Sequence, residues 1–561
     1  MDRPSPSKLL RFAAWAALVA LGALALHLAL HRIYQVDEAQ NVYMARIVAR
    51  RECQAFFVNG SFFTLGPLAW IAGTGKSSAW IWDASRLYAL GIFLTNTFLL
   101  ALATGLRPKD RRFLVVLLGA ATLAPLWDYG FEVRHDNLML ALILGSWIAG
   151  RRPSGSGWAT YGGLGFLAAM LQFVAFKSFL YTLPLAGAFL LLPRAEGGPT
   201  RLRRVGMWIG GALAAALLAR LAYGLSGSWD AYVNGFRTSF DHALNPGRFP
   251  AWDTLYRLVE QVPLLVIGGG AGVARLGYQL IRNKDAWTWE GPLPEGVLMI
   301  GTLGILLINP VPYAYNLLFV VPFLFLFGVR WLLSDPWLQE WPLVSQKAGH
   351  LLLAGMHVVP FCIATPRHLS FTNERQVELM RLAEALTADT DPVYDAAGLV
   401  VARRSIHYQW FLHSLVMPKY RDGRLPHLSQ SLSEVPSPVF IRSYRTDWLP
   451  PSEQVFIGAH YVALSDDFLV LGSLLTDRPT AWTCLKPGRY VLVAPSDPSA
   501  SALVDDRSVN AGEVIHLQAG SHALRRIKGA GPVALAWIGP TLDRYPPLTS
   551  RLHDELFINW Y

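Results

Sequence analysis

Asp37 and Glu38 stand side by side just beyond the first long apolar run of the chain, residues 9–30. Adjacent carboxylates at the edge of a bilayer are expensive to keep unless they bind something or do chemistry. In a cleft, the chemistry open to a carboxylate is general-base catalysis, taking the proton of an attacking hydroxyl within hydrogen-bond reach. The plainer reading of the pair is a helix start with an acidic first turn, which the macrodipole favours. A second cluster, Glu132-Val-Arg-His-Asp136, packs four ionisable residues into five positions at the mouth of a later apolar run. Arg134 has the planar fork that binds phosphate bidentately. Asp136 is a candidate to complement Asp37 across a cleft, and His135 is either a substrate contact or an interfacial histidine. Here the plainer reading is a salt-bridged interfacial cap.

Further cations and rings recur downstream. Lys177, in FVAFKSFLYTLP, is either a snorkelling anchor or a point charge for a lipid phosphate. Arg237, His242 and Arg248 share one loop, residues 225–257, and are candidates to hold an anion. Tyr34, beside the acidic pair, and Tyr313 and Tyr315, in NPVPYAYNLLFVVP, are candidate substrate contacts. The last two fit equally an aromatic membrane belt and a stacking surface for a sugar or prenyl chain.

The elements that must position these residues are membrane spans. The chain is 53% hydrophobic and 16% charged, where soluble domains carry about a quarter charged residues. The deficit lies before residue 365, where apolar runs alternate with short polar loops. About eleven spans are expected, centred near residues 20, 95, 119, 144, 166, 186, 214, 266, 302, 323 and 356. The first is read as an uncleaved signal anchor rather than a cleaved signal peptide, its apolar run being long for the latter. Arginine and lysine gather in alternate loops, at Arg107/Lys109/Arg111/Arg112, Arg151/Arg152, Arg194/Arg201/Arg203/Arg204, Arg275/Arg282/Lys284 and Arg330/Lys347. The positive-inside rule then puts the N-terminus inside. Asp37/Glu38, residues 128–136, Lys177, the 225–257 loop, Tyr313, Tyr315 and everything after 365 fall together on the outer face. The net charge of +10 follows from this loop bias and does not point to nucleic acid.

The predicted class is a polytopic α-helical membrane protein with a C-terminal soluble α/β plus β-sandwich domain. Residues 1–364 form the transmembrane part, 365–475 an α/β region and 476–561 a β-sandwich-like region, where YVLVAP, VIHLQA, HALRRI and VALAWIG read as short strands. Residues 33–51 have roughly helical apolar spacing and suggest an amphipathic helix in the membrane interface. Gly73-Thr-Gly-Lys-Ser77 has the end of a phosphate loop but lacks its first glycine and its strand. Gly268-Gly-Gly-Ala-Gly272 reads as close helix packing. Cys53, Cys362 and Cys484 have no metal-ligand spacing, and a Cys53–Cys484 disulfide would require an oxidising compartment. Asp466-Asp467 and Asp505-Asp506 read as solvated turns.

Taken in order on one face, VDEAQNVYMAR, EVRHDNLMLAL, FKSFLYTLP and NPVPYAYNLLFVVP resemble the GT-C glycosyltransferases that use polyprenyl-phosphate-linked sugars, namely the protein O-mannosyltransferases and the bacterial aminoarabinose transferases of lipid A. The resemblance implies inverting transfer on the periplasmic face of a bacterial inner membrane. The partners would be a polyprenyl-phosphate sugar donor, a lipid, glycan or protein acceptor, and membrane lipids. By analogy Asp37 is the base, Glu38 positions acceptor or donor, Asp136 assists, and Arg134 and Lys177 hold the leaving phosphate. Arg134-His-Asp136 departs from the family's usual Arg-Pro-Asp, and Ser178 stands where glycine commonly follows the lysine. This leaves the second acid and any divalent-metal site open. The resemblance fixes no cofactor. The rival class is a lipid-linked-sugar transporter or flippase, which would place its charges near the bilayer midplane and show repeated halves.

Overall fold

A computed structural model describes residues 6–561 except 51–61, 152–156, 176–177, 193–198, 226–228, 231, 235–236, 238–250, 283–291, 310–311, 335–360, 407–411, 413–415, 549–555 and 559–561. The span expected near 356, Cys53, Lys177, His242 and Arg248 lie outside the described residues.

The apolar runs fold as helices because only a helix satisfies every backbone group inside hydrocarbon. They are α1 (Pro6–His31), α4 (Ser78–Ala103), α5 (Arg111–Ala121), α7 (His135–Arg151), α8 (Trp158–Met170), α9 (Ser178–Leu191), α10 (Arg201–Leu225), α12 (Pro263–Arg282), α13 (Leu293–Ile308) and α14 (Leu317–Ser334). Five stretches are long and apolar enough to cross a membrane alone: Arg11–His31, Ser78–Ala103, Arg201–Leu225, Pro263–Arg282 and Ala314–Leu333. Three shorter helices, α2 (Val36–Arg50), α3 (Phe62–Ala72) and α6 (Ala124–Tyr129), and α11 (Ala251–Gln261) connect them.

Glycines govern two crossings, the first at backbone contact and the second against side chains. A Cβ on Gly165 of α8 would sit 1.9 Å from the Trp208 carbonyl oxygen, and one on Gly211 of α10 would sit 1.8 Å from that of Gly162. Only glycine lets the backbones of α8 and α10 approach so closely. The glycines of α12 act similarly: a Cβ on Gly269 would meet Leu324, and one on Gly272 would meet Phe327, both on α14. Gly211→Leu is therefore expected to force α8 and α10 apart. Overpacking of this kind costs about 1–3 kcal/mol or more. The check is a lower melting temperature in detergent, with Gly163→Leu as control, because a Cβ there meets nothing within 4 Å. Equal melting of the two variants would refute the close crossing.

The ends of the bundle differ. At one end Glu295 is buried between Arg151 (3.3 Å) and Arg330 (3.2 Å). The same arginines donate to the Ala103 and Thr104 carbonyls at the end of α4. At the other end lie residues 31–38, residues 124–136, Tyr313 and the C-terminal domain. The acidic pair and the later cluster are thus on one side, as the loop charges require, and two of the far-side arginines serve as internal ion partners.

The C-terminal domain begins with α15 (Glu374–Ala385) and continues through β1 (Val393–Tyr394), α16 (Val416–Arg421), α17 (Leu428–Glu434), β2 (Val439–Ile441) and α18 (Pro451–His460) to β3 (Tyr461–Ser465) and β4 (Phe468–Leu474). The remaining strands are β5 (Thr480–Cys484), β6 (Gly488–Val493), β7 (Ser501–Val504), β8 (Arg507–Asn510), β9 (Val514–Leu517), β10 (Gly520–Lys528) and β11 (Ala534–Trp537). One sheet has seven strands in the order β1-β2-β4-β11-β6-β9, with β3 also on β4; the other runs β5-β10-β7-β8. β1 and β2 are parallel. β11 pairs with both β4 and β6, so one sheet runs continuously across residue 475. Trp482, Tyr490 and Trp537 are buried and meet edge to face. Asp505 and Asp506 form the β7–β8 turn with positive φ, as hairpin turns demand. Asp467 is not a solvated turn residue: it is fully buried on Arg375 at 2.6 Å.

α2 does not lie in the interface. Residues Asn41–Ile47 are all buried, and α2 and α3 share one core with the C-terminal domain, including Leu379, Phe440, Ile441 and Leu449. The seam is closed by main-chain bonds, Ile33 N–H to the Phe371 carbonyl and Asn373 N–H to that of His31. The Gln376 amide adds two bonds to the backbone of Tyr34.

Candidate active site

Gln35 is the N-cap of α2: its carbonyl accepts from Ala39 N–H at 3.0 Å. Three positions on, Glu38 reaches back and accepts from Gln35 N–H at 3.0 Å, the bond that the N3 acid makes in a capping box. The same carboxylate accepts from Arg86 Nε and Nη2, both at 2.5 Å, and from Val133 N–H at 2.8 Å. Glu38 and Arg86 are each fully buried. Arg86 also donates to the carbonyls of Ala29 and Ile33 at the end of α1. One ion pair therefore closes α1 and opens α2. Glu38, expected to position a substrate, is enclosed and offers no surface to one.

Successive helical residues point about 100° apart, so Asp37 faces a different way from Glu38. Its side chain is 28% exposed and accepts from Arg134 Nη1 at 3.0 Å. Arg134 Nε donates to Asp136 at 3.2 Å, Nη1 lies 3.8 Å from Glu132, and the guanidinium sits 4.2 Å over the Tyr315 ring. One arginine thus gathers three carboxylates and a phenol face. Asp136 and Glu132 are 0% and 1% exposed. Asp136 occupies the first turn of α7, where the macrodipole favours a negative charge. His135 Nε2 lies 3.7 Å from Asp136. Tyr313 packs on Tyr315 with ring centres 5.8 Å apart. Asp37, Arg134, His135, Asp136, Tyr313 and Tyr315 are thus brought together.

Behind them Glu132 pairs with Arg32 at 3.1 Å. Arg32 also reaches the Trp127 and Asp128 carbonyls and His368 Nδ1, and His368 Nε2 lies 3.0 Å from Asp128. Burial, with the Glu38 carboxylate nearby, raises the Glu132 carboxyl above the usual carboxylate range against the pull of Arg32 and Arg134.

The other expected residues fall elsewhere. Tyr34 is fully buried and stacked on Trp82 at 4.1 Å, with Arg86 over its ring at 5.1 Å. It belongs to the core at the α1–α2 corner and not to a substrate surface. Arg237 is exposed. Gly73-Thr-Gly-Lys-Ser77 is a turn ending in Ser77, the N-cap of α4. Among the described residues no group of three or more His, Cys, Asp or Glu side chains is placed to hold a metal ion. Arg32, Arg86 and His368 were not foreseen. For Arg86 the signal was available: a lone arginine in an apolar span needs a buried partner.

No protein-family model and no curated protein sequence matches the chain. Its fold is similar to two crystal structures of ArnT from Cupriavidus metallidurans. The apo structure matches with a TM-score of 0.55 and 14% identity, over 82% of this chain and 98% of that one. The structure bound to undecaprenyl phosphate matches with a TM-score of 0.52 and 12% identity, over 83% and 98%. The GT-C-like fold expected from the order of the sequence motifs, a polytopic helical membrane protein with a C-terminal α/β domain, is the fold found.

Proposed function

We propose that this protein transfers a sugar from a polyprenyl-phosphate donor to a hydroxyl of a lipid, glycan or protein acceptor. The reaction runs on the outer, periplasmic face of a bacterial inner membrane, with inversion at the anomeric carbon. The observation that carries this reading is the inequality of four neighbouring carboxylates: Glu38, Glu132 and Asp136 are at most 1% exposed, and Asp37 is 28% exposed. Asp37 alone of the four offers surface to an acceptor. It takes the hydroxyl proton as the oxygen attacks the anomeric carbon. The bond to phosphate breaks on the opposite side, and polyprenyl phosphate leaves with its charge held by cations. Arg134, stacked and already oriented, and Lys177 are assigned that task; fixed charges of this kind need no reorganisation in the transition state. Undecaprenyl phosphate in the ArnT structure supports a lipid of this class as the carrier here.

The test incubates purified protein with a panel of radiolabelled undecaprenyl-phosphate sugars in the presence of membrane extract. Transfer of label to a new product, with release of undecaprenyl phosphate, is expected for one sugar. If vesicles carrying the protein only move a donor across the bilayer intact, the enzyme reading falls and the transporter reading takes its place. Reporter fusions after Arg112 and Thr365 should report opposite sides of the membrane.

A further inference from the structure

We propose that a cavity at the end of the bundle opposite Asp37 binds an anionic phospholipid of the adjoining leaflet, with its phosphate on Arg204 and one acyl chain in the cavity. The site is separate from the Asp37 cluster, and its ligand takes no part in the transfer reaction.

The cavity, of about 190 Å³, lies between α8, α9 and α10, and its walls include Tyr161, Ala186, Phe189, Arg204, Trp208 and Ile209. Contacts fix its place along the bundle. Phe189 stacks on Trp147 of α7 with ring centres 5.7 Å apart. Arg151, one turn further along α7, lies 5.6 Å from the Trp147 ring and pairs with Glu295. This is the end away from Asp37, and by the loop charges it is the inner one. Ile209 is half exposed, and Leu202 and Leu213 beside it on α10 are more so. The cavity therefore opens on the lipid-facing side of the bundle. Its walls are preformed, because α8 and α10 cross at backbone contact through Gly165 and Gly211. A chain that enters pays little for ordering the protein.

Arg204 distinguishes this cavity from a packing defect. The positive-inside rule places arginines in a loop but does not bury them. Arg201 and Arg203 are exposed, as solvated loop charges are, whereas Arg204 is 4% exposed. Its Nη1 donates to the Leu192 carbonyl at 3.0 Å, and the guanidinium lies 5.3 Å from the Tyr161 ring centre. These contacts orient a planar fork whose shape matches phosphate. The three arginines also crowd the first turn of α10, the positive end of its dipole, where cations are disfavoured. An anion there relieves both repulsions, and basic pockets between spans on the inner side hold anionic headgroups for this reason.

Depth selects a phospholipid over a free anion. Trp208 and Ile209 lie four and five residues beyond Arg204 on α10, about 6–8 Å deeper. That is the step from a lipid's phosphate to its ester groups and the start of its chains. The Trp208 indole N–H is buried without an acceptor among the described residues, and ester carbonyls are acceptors at that depth. A free phosphate leaves the apolar cavity unfilled, and a neutral lipid leaves the arginines uncompensated.

The experiment titrates the delipidated full chain in detergent with phosphatidylglycerol and with phosphatidylcholine, and counts bound lipid by native mass spectrometry. Phosphatidylglycerol should bind about tenfold more tightly or better, the range of a charged hydrogen bond. Ala186→Leu puts three more carbons into the cavity. It should abolish the tight phosphatidylglycerol binding and melt no lower than the native protein in lipid-free detergent. Arg204→Gln should bring phosphatidylglycerol down to the level of phosphatidylcholine, and Arg203→Gln, at an exposed position, should change it little. Equal binding of the two lipids by the native protein would overturn the proposal, and so would native affinity in Ala186→Leu. Glycerol 1-phosphate binding as tightly as phosphatidylglycerol would reduce the site to an anion site and overturn it too. Displacement of phosphatidylglycerol by an equal concentration of undecaprenyl phosphate would give the cavity to the carrier lipid instead. None of these outcomes bears on transfer at Asp37, which the radiolabelled donors test separately.

Discussion

Asp37→Asn is expected to reduce transfer by about 10²–10⁴-fold, the usual loss when a general base is removed. The change should act on turnover alone. Asparagine keeps an oxygen to accept from Arg134, which holds Asp37 at 3.0 Å, and Arg134 retains Asp136 and the Tyr315 ring. The variant should therefore melt near the native temperature and bind undecaprenyl phosphate as the native protein does. Asp136→Asn is the informative companion. Asp136 is wholly buried and reaches a substrate only through Arg134, so its loss should weaken donor binding along with turnover. Near-native turnover in Asp37→Asn would reduce Asp37 to the acidic first-turn residue of α2, and the base would have to be sought elsewhere.

What the sequence revealed follows from the range of the interactions involved. The apolar runs became helices where they stood because hydrocarbon imposes that outcome on each run separately. The strands at YVLVAP, VIHLQA, HALRRI and VALAWIG formed for a similarly local reason, alternation with turn residues between. The order of charged motifs placed Asp37, Arg134 and Tyr315 on one side, and they meet there. Partnerships were not legible. Glu38 and Arg86 are 48 positions apart, and Tyr34 and Gln376 are 342 apart. Nothing in local spacing says that the carboxylate next to the candidate base is already occupied. The reading of α2 as an interfacial helix failed for the same reason: its second face is covered by the C-terminal domain, whose contact with it is set by tertiary packing alone. Asp467 read as a turn residue until Arg375, 92 positions earlier, appeared beside it.

The division of labour between the two adjacent acids can be tested at Glu38. Removing one partner of a buried ion pair leaves the other charge uncompensated and typically costs about 3–5 kcal/mol. Glu38→Ala and Arg86→Ala are each expected to lower the melting temperature sharply and to reduce the yield of monodisperse protein, because both side chains are fully buried. The pair also holds the carbonyls that end α1 and the N-cap amide that begins α2. Loss of activity in the folded fraction should therefore accompany loss of stability, Asp37 being displaced with the start of its helix. The double variant Glu38→Ala/Arg86→Ala should be less destabilised than the sum of the singles, since it strands no charge. A catalytic or substrate-positioning Glu38 would behave otherwise: Glu38→Ala would melt like the native protein, and turnover would fall with no change at Asp37. That outcome would return Glu38 to the reacting groups. The expected one leaves Asp37 as the carboxylate that meets the acceptor, held in place by a neighbour that touches only protein.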